Sequence, residues 1–260
     1  ITKKTKAIVA VHYGGVSCNM EYLLYIAKKY SLSLVEDSAQ AIDSTYTFNN
    51  GTIKSLGSIG NLSTFSFHET KNISSGEGGL LGINDTSLIA RAEIIWEKGT
   101  NRSAFFRGEI KRYEWVDIGS SFLPSEVTAA FLMAQLKMID IIQSKRKSAW
   151  EFYNDALQNK SDRFTTPNLP AYSSNNAHLF YLIFNSPQDR NAAIKKLAES
   201  DILAVFHYVS LHSSSYYKGK YTGQELIHCD KFSECLLRLP LYYDLTIPQQ
   251  QKVIDALLQT

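Results

Sequence analysis

The chain is poor in cysteine: three in 260 residues, Cys18, Cys229 and Cys235. They are scattered and odd in number. That excludes a disulfide framework and zinc-ligand spacing, and it suits a reduced, cytoplasmic protein. Cys18 reads as a small semi-buried residue before it reads as a nucleophile. Charge of one sign is also missing. A formal net charge of +2 gives no reason to expect nucleic acid or an anionic membrane as partner. No apolar run is long enough to span a bilayer. The basic start, Ile1-Thr2-Lys3-Lys4-Thr5-Lys6, carries no apolar stretch of a secretory signal. There is no internal repeat. What remains is a globular balance, 44% hydrophobic and 20% charged, enough for one large domain or two modest ones.

Periodicity sketches an α/β chain. Ala7-Ile8-Val9-Ala10-Val11 reads as a buried strand, residues 21–30 as a helix and residues 33–36 as a second strand ending at Asp37. A strand, helix, strand unit of this length implies a parallel pair with a right-handed crossover. Further strands are expected at 62–67 and 79–83, and a helix at 86–98. Pro124 and Glu126 open a helix that runs to about Leu157, long enough to expect a bend or an interdomain link within it. Beyond it, strands at 179–184 and 203–207 and helices at 188–199 and 248–258 describe a smaller α+β domain. The expected division is 1–145 and 146–260.

Ligands of open parallel sheets bind beyond the carboxyl ends of the strands, where Asp37 and Gln40 stand. Lys71 follows another apolar strand and precedes a glycine-rich turn, Ser75-Gly76-Glu77-Gly78-Gly79. Partial desolvation there lowers a lysine's pKa and makes it a nucleophile toward carbonyls. An acid at one strand end and a lysine after another suit pyridoxal phosphate, with the acid holding the pyridine nitrogen protonated. The competing readings are a solvated loop lysine and a helix-capping aspartate. The glycine turn is no P-loop, since no Gly-Lys-Ser/Thr follows. His12, His68, His207 and His212 are candidate sugar or nucleotide contacts or satisfied structural histidines. No acid or cysteine falls around them at metal-ligand spacing. Arg102 and Arg107 flank Phe105-Phe106 and could meet a diphosphate or a carboxylate, against the reading of solvated loop arginines.

Several stretches, in one order along the chain, carry a resemblance: Val11-His12-Tyr13-Gly14-Gly15-Val16, Glu36-Asp37-Ser38-Ala39-Gln40, residues 66–79, Gly99-Thr100-Asn101-Arg102, residues 117–126, Ala204-Val205-Phe206-His207-Tyr208 and Arg238-Leu239-Pro240-Leu241. Together they resemble the DegT/DnrJ/EryC1/StrS nucleotide-sugar aminotransferases over essentially the whole chain. The resemblance implies the aspartate-aminotransferase fold (fold type I), with a large domain on a parallel or mixed sheet, a small α+β domain, and a homodimer with its active sites at the interface. It implies Lys71 as the Schiff-base lysine and proton shuttle, Asp37 on the pyridine nitrogen, Gln40 on the ring oxygen and Ser66 on the phosphate. Ser121 stands where many relatives carry an asparagine that reaches the phosphate from the partner subunit. His12, His68, Arg102, His207 and Tyr208 become substrate-binding candidates.

The implied reaction moves an amine from glutamate to a nucleotide-linked keto-deoxysugar, at the C4 ketone of dTDP-4-dehydro-6-deoxy-D-glucose in the branch that serves enterobacterial common antigen. The alternatives are a 3-aminotransferase on a related sugar, or a non-catalytic remnant or dimerising partner. Lysine at position 71 separates the chain from related sugar dehydratases, which carry histidine there. Relatives also carry an amino-terminal segment, ahead of the residue matching Ile1, that adds phosphate-binding and ring-stacking groups. The expectation is therefore an amino-terminally truncated cradle with weak cofactor retention and little activity.

Overall fold

A computed structural model describes residues 1–259; Thr260, the last residue of the expected second domain, lies outside them. Two compact units result: Ile1–Asp140 with Ala171–Ser174, and Ile141–Pro170 with the chain from Asn175 onward.

The first unit is built on β1 (Ala7–Val11), α1 (Met20–Tyr30), β2 (Ser33–Asp37), a short hairpin of β3 (Thr45–Thr47) and β4 (Ile53–Ser55), β5 (Leu62–Ser66) and β6 (Gly79–Ile83). The main sheet runs β1-β2-β5-β6. β1, β2 and β5 are parallel, with Val11 opposite Asp37 and Asp37 opposite Thr64, while β6 returns antiparallel. The parallel strands therefore end at one level, and the residues just beyond them meet. α1 starts on Asn19, whose side chain accepts the Tyr22 amide, and stops at Ser31 in the left-handed conformation. Its apolar side packs with Leu34, Ala10 and Tyr46 in a small core.

The expected helix at 86–98 is a 3-10 turn, Thr86–Leu88, followed by α2 (Ile89–Trp96). It stops there because Lys98 and Gly99 both take positive φ. Gly99 is required: a Cβ there would overlap the Asp117 carbonyl oxygen. α3 (Arg102–Phe106) follows. The expected helix from 124 to 157 divides at Met138, which takes φ −105° and ψ 8°, giving α4 (Glu126–Lys137) and α5 (Ile139–Leu157).

The second unit holds β7 (Phe164–Thr165), β8 (Phe180–Phe184), α6 (Pro187–Glu199), β9 (Val205–Phe206), α7 (Ile227–Cys235), β10 (Leu236–Leu239) and α8 (Ile247–Leu258). Its sheet runs β7-β8-β10-β9 and is antiparallel throughout. One face of α5 satisfies the backbone leading into β8. Gln143 donates to the Asn176 carbonyl at 3.3 Å, Arg146 to Ala177 and His178 at 3.1 Å each, and Trp150 to Leu179 at 3.1 Å. Spacings of three and four residues put these donors on one side of the helix. Burial lowers the Arg146 guanidinium to about 10, so carbonyl oxygens take the place of water around it.

Phe180 is fully buried, edge-on to Trp150 at 5.4 Å and tilted against Tyr153 at 5.2 Å. Phe180→Ala should destabilise this unit by about 3–5 kcal/mol. Urea unfolding followed by circular dichroism would show it, and an unchanged midpoint would contradict this account of the core.

Candidate active site

Four of the expected site residues stand at the shared carboxyl end of β2 and β5. Asp37 is the last residue of β2, half-buried, with Oδ1 accepting the Ala39 amide at 3.1 Å. Gln40 lies in the turn that follows, its Oε1 accepting the Gly14 amide at 2.7 Å. That bond ties the 3-10 turn after β1 (Tyr13–Gly15) to the turn after β2. Ser66 ends β5 and accepts the His68 amide at 3.3 Å.

Lys71 sits on a loop anchored on both sides. The Ser75 amide reaches the Phe67 carbonyl at 2.8 Å, and the Phe67 amide reaches Gly78 at 2.9 Å. Asn72 and Ile73, directly after the lysine, are buried. Gly76, at φ 80°, makes the return possible. Burial lowers the Lys71 pKa below that of an ordinary lysine, and the Asp37 carboxylate offsets part of the shift. The two groups are thus close enough to feel one another, yet no ion pair joins them. An acid and a partly desolvated amine that share a space without closing on each other are what pyridoxal phosphate needs at its ring nitrogen and its aldehyde. The residues present fit that group.

The remaining candidates are placed differently. His68 is organised by its own loop, with Nδ1 2.9 Å from Thr70 Oγ1 and Nε2 3.7 Å from Glu77. His12 is fully buried and pairs with Glu36 at 3.0 Å. A ring with no exposed surface cannot touch a sugar or a nucleotide, which corrects the expectation of a substrate contact. Arg102 is ion-paired to Glu97 at 2.9 Å and lies over the Phe106 ring at 4.7 Å. Arg107 is held by Glu93 at 2.9 Å and Glu109 at 2.7 Å. Both arginines therefore have carboxylate partners within the first unit. Ser121 is exposed and bridges to Glu97 in the same region.

His207 and Tyr208 belong to the second unit, just past β9. Burial, then the Arg238 charge, depresses His207 to about 4, so it is neutral at physiological pH. Tyr208 is largely exposed. His212 pairs with Asp230 at 3.1 Å. Among the described residues no group of three His, Cys, Asp or Glu side chains could hold a metal ion, and no helix is long and apolar enough to cross a membrane. Sequence reasoning passed over Glu36, the most heavily hydrogen-bonded side chain of this region. Its place beside Asp37 in the Glu36-Asp37 pair was the available signal.

Set beside known proteins, residues 1–258 match the DegT/DnrJ/EryC1/StrS aminotransferase family. The chain is 29% identical over 269 residues to the uncharacterized protein MJ1066 of Methanocaldococcus jannaschii, covering 98% of this chain and 67% of that protein. It is 28% identical over 263 residues to the UDP-4-amino-4,6-dideoxy-N-acetyl-beta-L-altrosamine transaminase of Helicobacter pylori, covering 100% and 67%. The solved structure of Helicobacter pylori PseC, an aminotransferase involved in the biosynthesis of pseudoaminic acid, superposes with a TM-score of 0.88 at 27% identity, covering 100% of this chain and 67% of that one. The chain thus spans about two thirds of the length of these relatives.

A lowered Lys71 pKa has a measurable consequence. Trapping of Lys71 by pyridoxal phosphate and borohydride, followed by peptide mass spectrometry, should rise with pH through a midpoint below that of an ordinary lysine side chain. Asp37→Asn removes the one charge that raises this pKa and should move the midpoint lower still. A midpoint that stays put on substitution would separate the two groups.

Proposed function

Since the chain belongs to the DegT/DnrJ/EryC1/StrS aminotransferase family, whose members are pyridoxal phosphate-dependent sugar aminotransferases of fold type I, we propose that it serves transamination of a nucleotide-linked keto-sugar. The observation that carries this reading is the Lys71 amine, partly desolvated and in the field of Asp37, at the ends of two parallel strands. When bound, pyridoxal phosphate supplies an aldehyde that carries the amine and a ring that accepts electrons. Lys71 anchors the group and, once released, moves a proton at its Nζ. Asp37 holds the ring nitrogen protonated by charge attraction. Gln40 and Ser66, at the same strand ends, contribute polar contacts to the ring oxygen and the phosphate. Ser121 is assigned the phosphate of the partner's site in a homodimer. His68, His207 and Tyr208 are assigned to the substrate side.

Glutamate is the proposed amine donor. The proposed acceptor is the C4 ketone of dTDP-4-dehydro-6-deoxy-D-glucose, which would make the chain a relative of the dTDP-4-amino-4,6-dideoxygalactose transaminase of enterobacterial common antigen synthesis. The motif resemblance supports this choice, and a relative whose name describes a UDP-linked 4-amino-4,6-dideoxy sugar supports the C4 position alone.

Absorbance titration with pyridoxal phosphate tests the cofactor reading. The parent chain should develop a visible band that Lys71→Ala lacks. Product analysis by NMR, with glutamate and the dTDP keto-sugar, should then show nitrogen at C4. Nitrogen at C3 would point to the neighbouring sugar class. Identical spectra of parent and variant would remove the aminotransferase reading for this chain.

A further inference from the structure

Glu36 is a carboxylate with no exposed surface, in the middle of the first unit's sheet. An ionised acid in such a place costs several kcal/mol unless donors replace its water. Four do so. Oε1 accepts the amides of Gly60 at 2.6 Å and Ile59 at 2.7 Å, and Oε2 accepts the amide of Gly57 at 2.8 Å. His12 Nε2 completes the set at 3.0 Å from Oε2.

The ring's other nitrogen takes the Cys18 amide at 3.2 Å. Because that nitrogen accepts, Nε2 carries the ring proton and donates it to Glu36. Burial works against the charge on Glu36, and the bonds from His12 and from the Gly60, Gly57 and Ile59 amides outweigh it, so its pKa is lowered. A well-packed apolar side chain would occupy the same place at no such cost. The arrangement therefore does something an apolar side chain could not.

What it does follows from who is joined. His12 is bonded twice to neighbouring residues of β2: its side chain to Glu36, and its amide to the Asp37 carbonyl at 3.0 Å. The turn 57–60 is drawn onto the same carboxylate, and only glycine permits the approach. A Cβ on Gly60 would fall 2.6 Å from the Leu34 carbonyl oxygen, and Gly57 sits at φ 89°. Successive side chains on a strand point to opposite faces, so Glu36 faces the core while Asp37 faces away from it. Glu36 cannot reach a cofactor itself.

We propose that the buried Glu36–His12 pair is a positioning unit, which fixes the end of β2 so that the Asp37 carboxylate is presented to the pyridine nitrogen. This rests on the function proposed above. Glu36 and His12 are positioning residues and act only through Asp37.

The experiment is a double-mutant cycle on the affinity for pyridoxal phosphate, read by absorbance, with thermal melting alongside. Glu36→Gln keeps the volume and removes the charge. It should weaken the cofactor by about tenfold or more, the usual scale for a hydrogen bond to a charged group. In an Asp37→Asn background the same change should cost less than about twofold, because a residue acting through Asp37 has nothing left to act on. A general loss of structure would instead multiply the two effects. His12→Gln keeps a donor toward Glu36 and should stay within about threefold of the parent, whereas His12→Leu should fall like Glu36→Gln.

Multiplying losses overturn the proposal, as does a folded Glu36→Gln chain with unchanged affinity. Should Glu36→Gln not fold, the His12 pair decides. A His12→Leu chain that binds as the parent does overturns the proposal, and the expected contrast between the two His12 variants supports it. A parent chain in which Lys71 takes up no pyridoxal phosphate overturns both this inference and the function it rests on.

Discussion

A carboxylate can be buried only where donors stand in for water, and Glu36 is buried completely. That requirement organises the first unit. Its four donors come from the end of β1 and from the turn that leads into β5. The same turn clasps β2 a second time, with the Asn61 amide on the Leu34 carbonyl at 2.7 Å and the Leu34 amide on Asn61 Oδ1 at 2.8 Å. Three parallel strands are thereby held with their carboxyl ends at one level. Asp37, Gln40, Ser66 and the Lys71 loop follow directly from those ends.

The second unit meets the same constraint with the opposite sign. Arg146 is a buried cation, and the carbonyls of Ala177 and His178 take the place of water around it. Gln143 and Trp150, from the same helix face, extend that contact along residues 176–179. The helix thus supplies donors to the segment that leads into β8. Aromatic packing of Phe180 with Trp150 and Tyr153 begins where those bonds end. In both units a buried charge is surrounded by hydrogen-bond partners, because an unpaired charge there is far costlier than a poorly packed methyl group.

Much of this was legible in the sequence, and the reasons are particular. β1 is a short apolar run, β2 and β5 each carry two apolar residues in a five-residue stretch, and α1 repeats its apolar residues at helical spacing, so each declared itself. The β3–β4 hairpin did not: at three residues a strand, Thr45–Thr47 and Ile53–Ser55, it is too short to show a period. α7 and β10 run directly together, Ile227–Cys235 into Leu236–Leu239, without the glycine or proline that separates elements to the eye. The long helix was expected to bend, and Met138 shows where. Lys71 and Asp37 stood out because their motifs are specific and their chemistry is complementary.

His12 shows the limit. As a residue in a motif it read equally as a ligand contact and as a satisfied core histidine, because sequence gives residue type and spacing but not depth. The sequence by itself determined the family, the parallel core of the first unit and the position of an acid and a lysine after neighbouring strands, since these rest on local apolar pattern and on motif. Only the tertiary structure decided that His12 is internal, that Glu36 is the hub beside Asp37, and that Arg102 and Arg107 are held by neighbouring glutamates. Those facts depend on burial and on side-chain geometry, which residue type and spacing do not give, and a buried charge acquires its meaning only when the donors around it are in place.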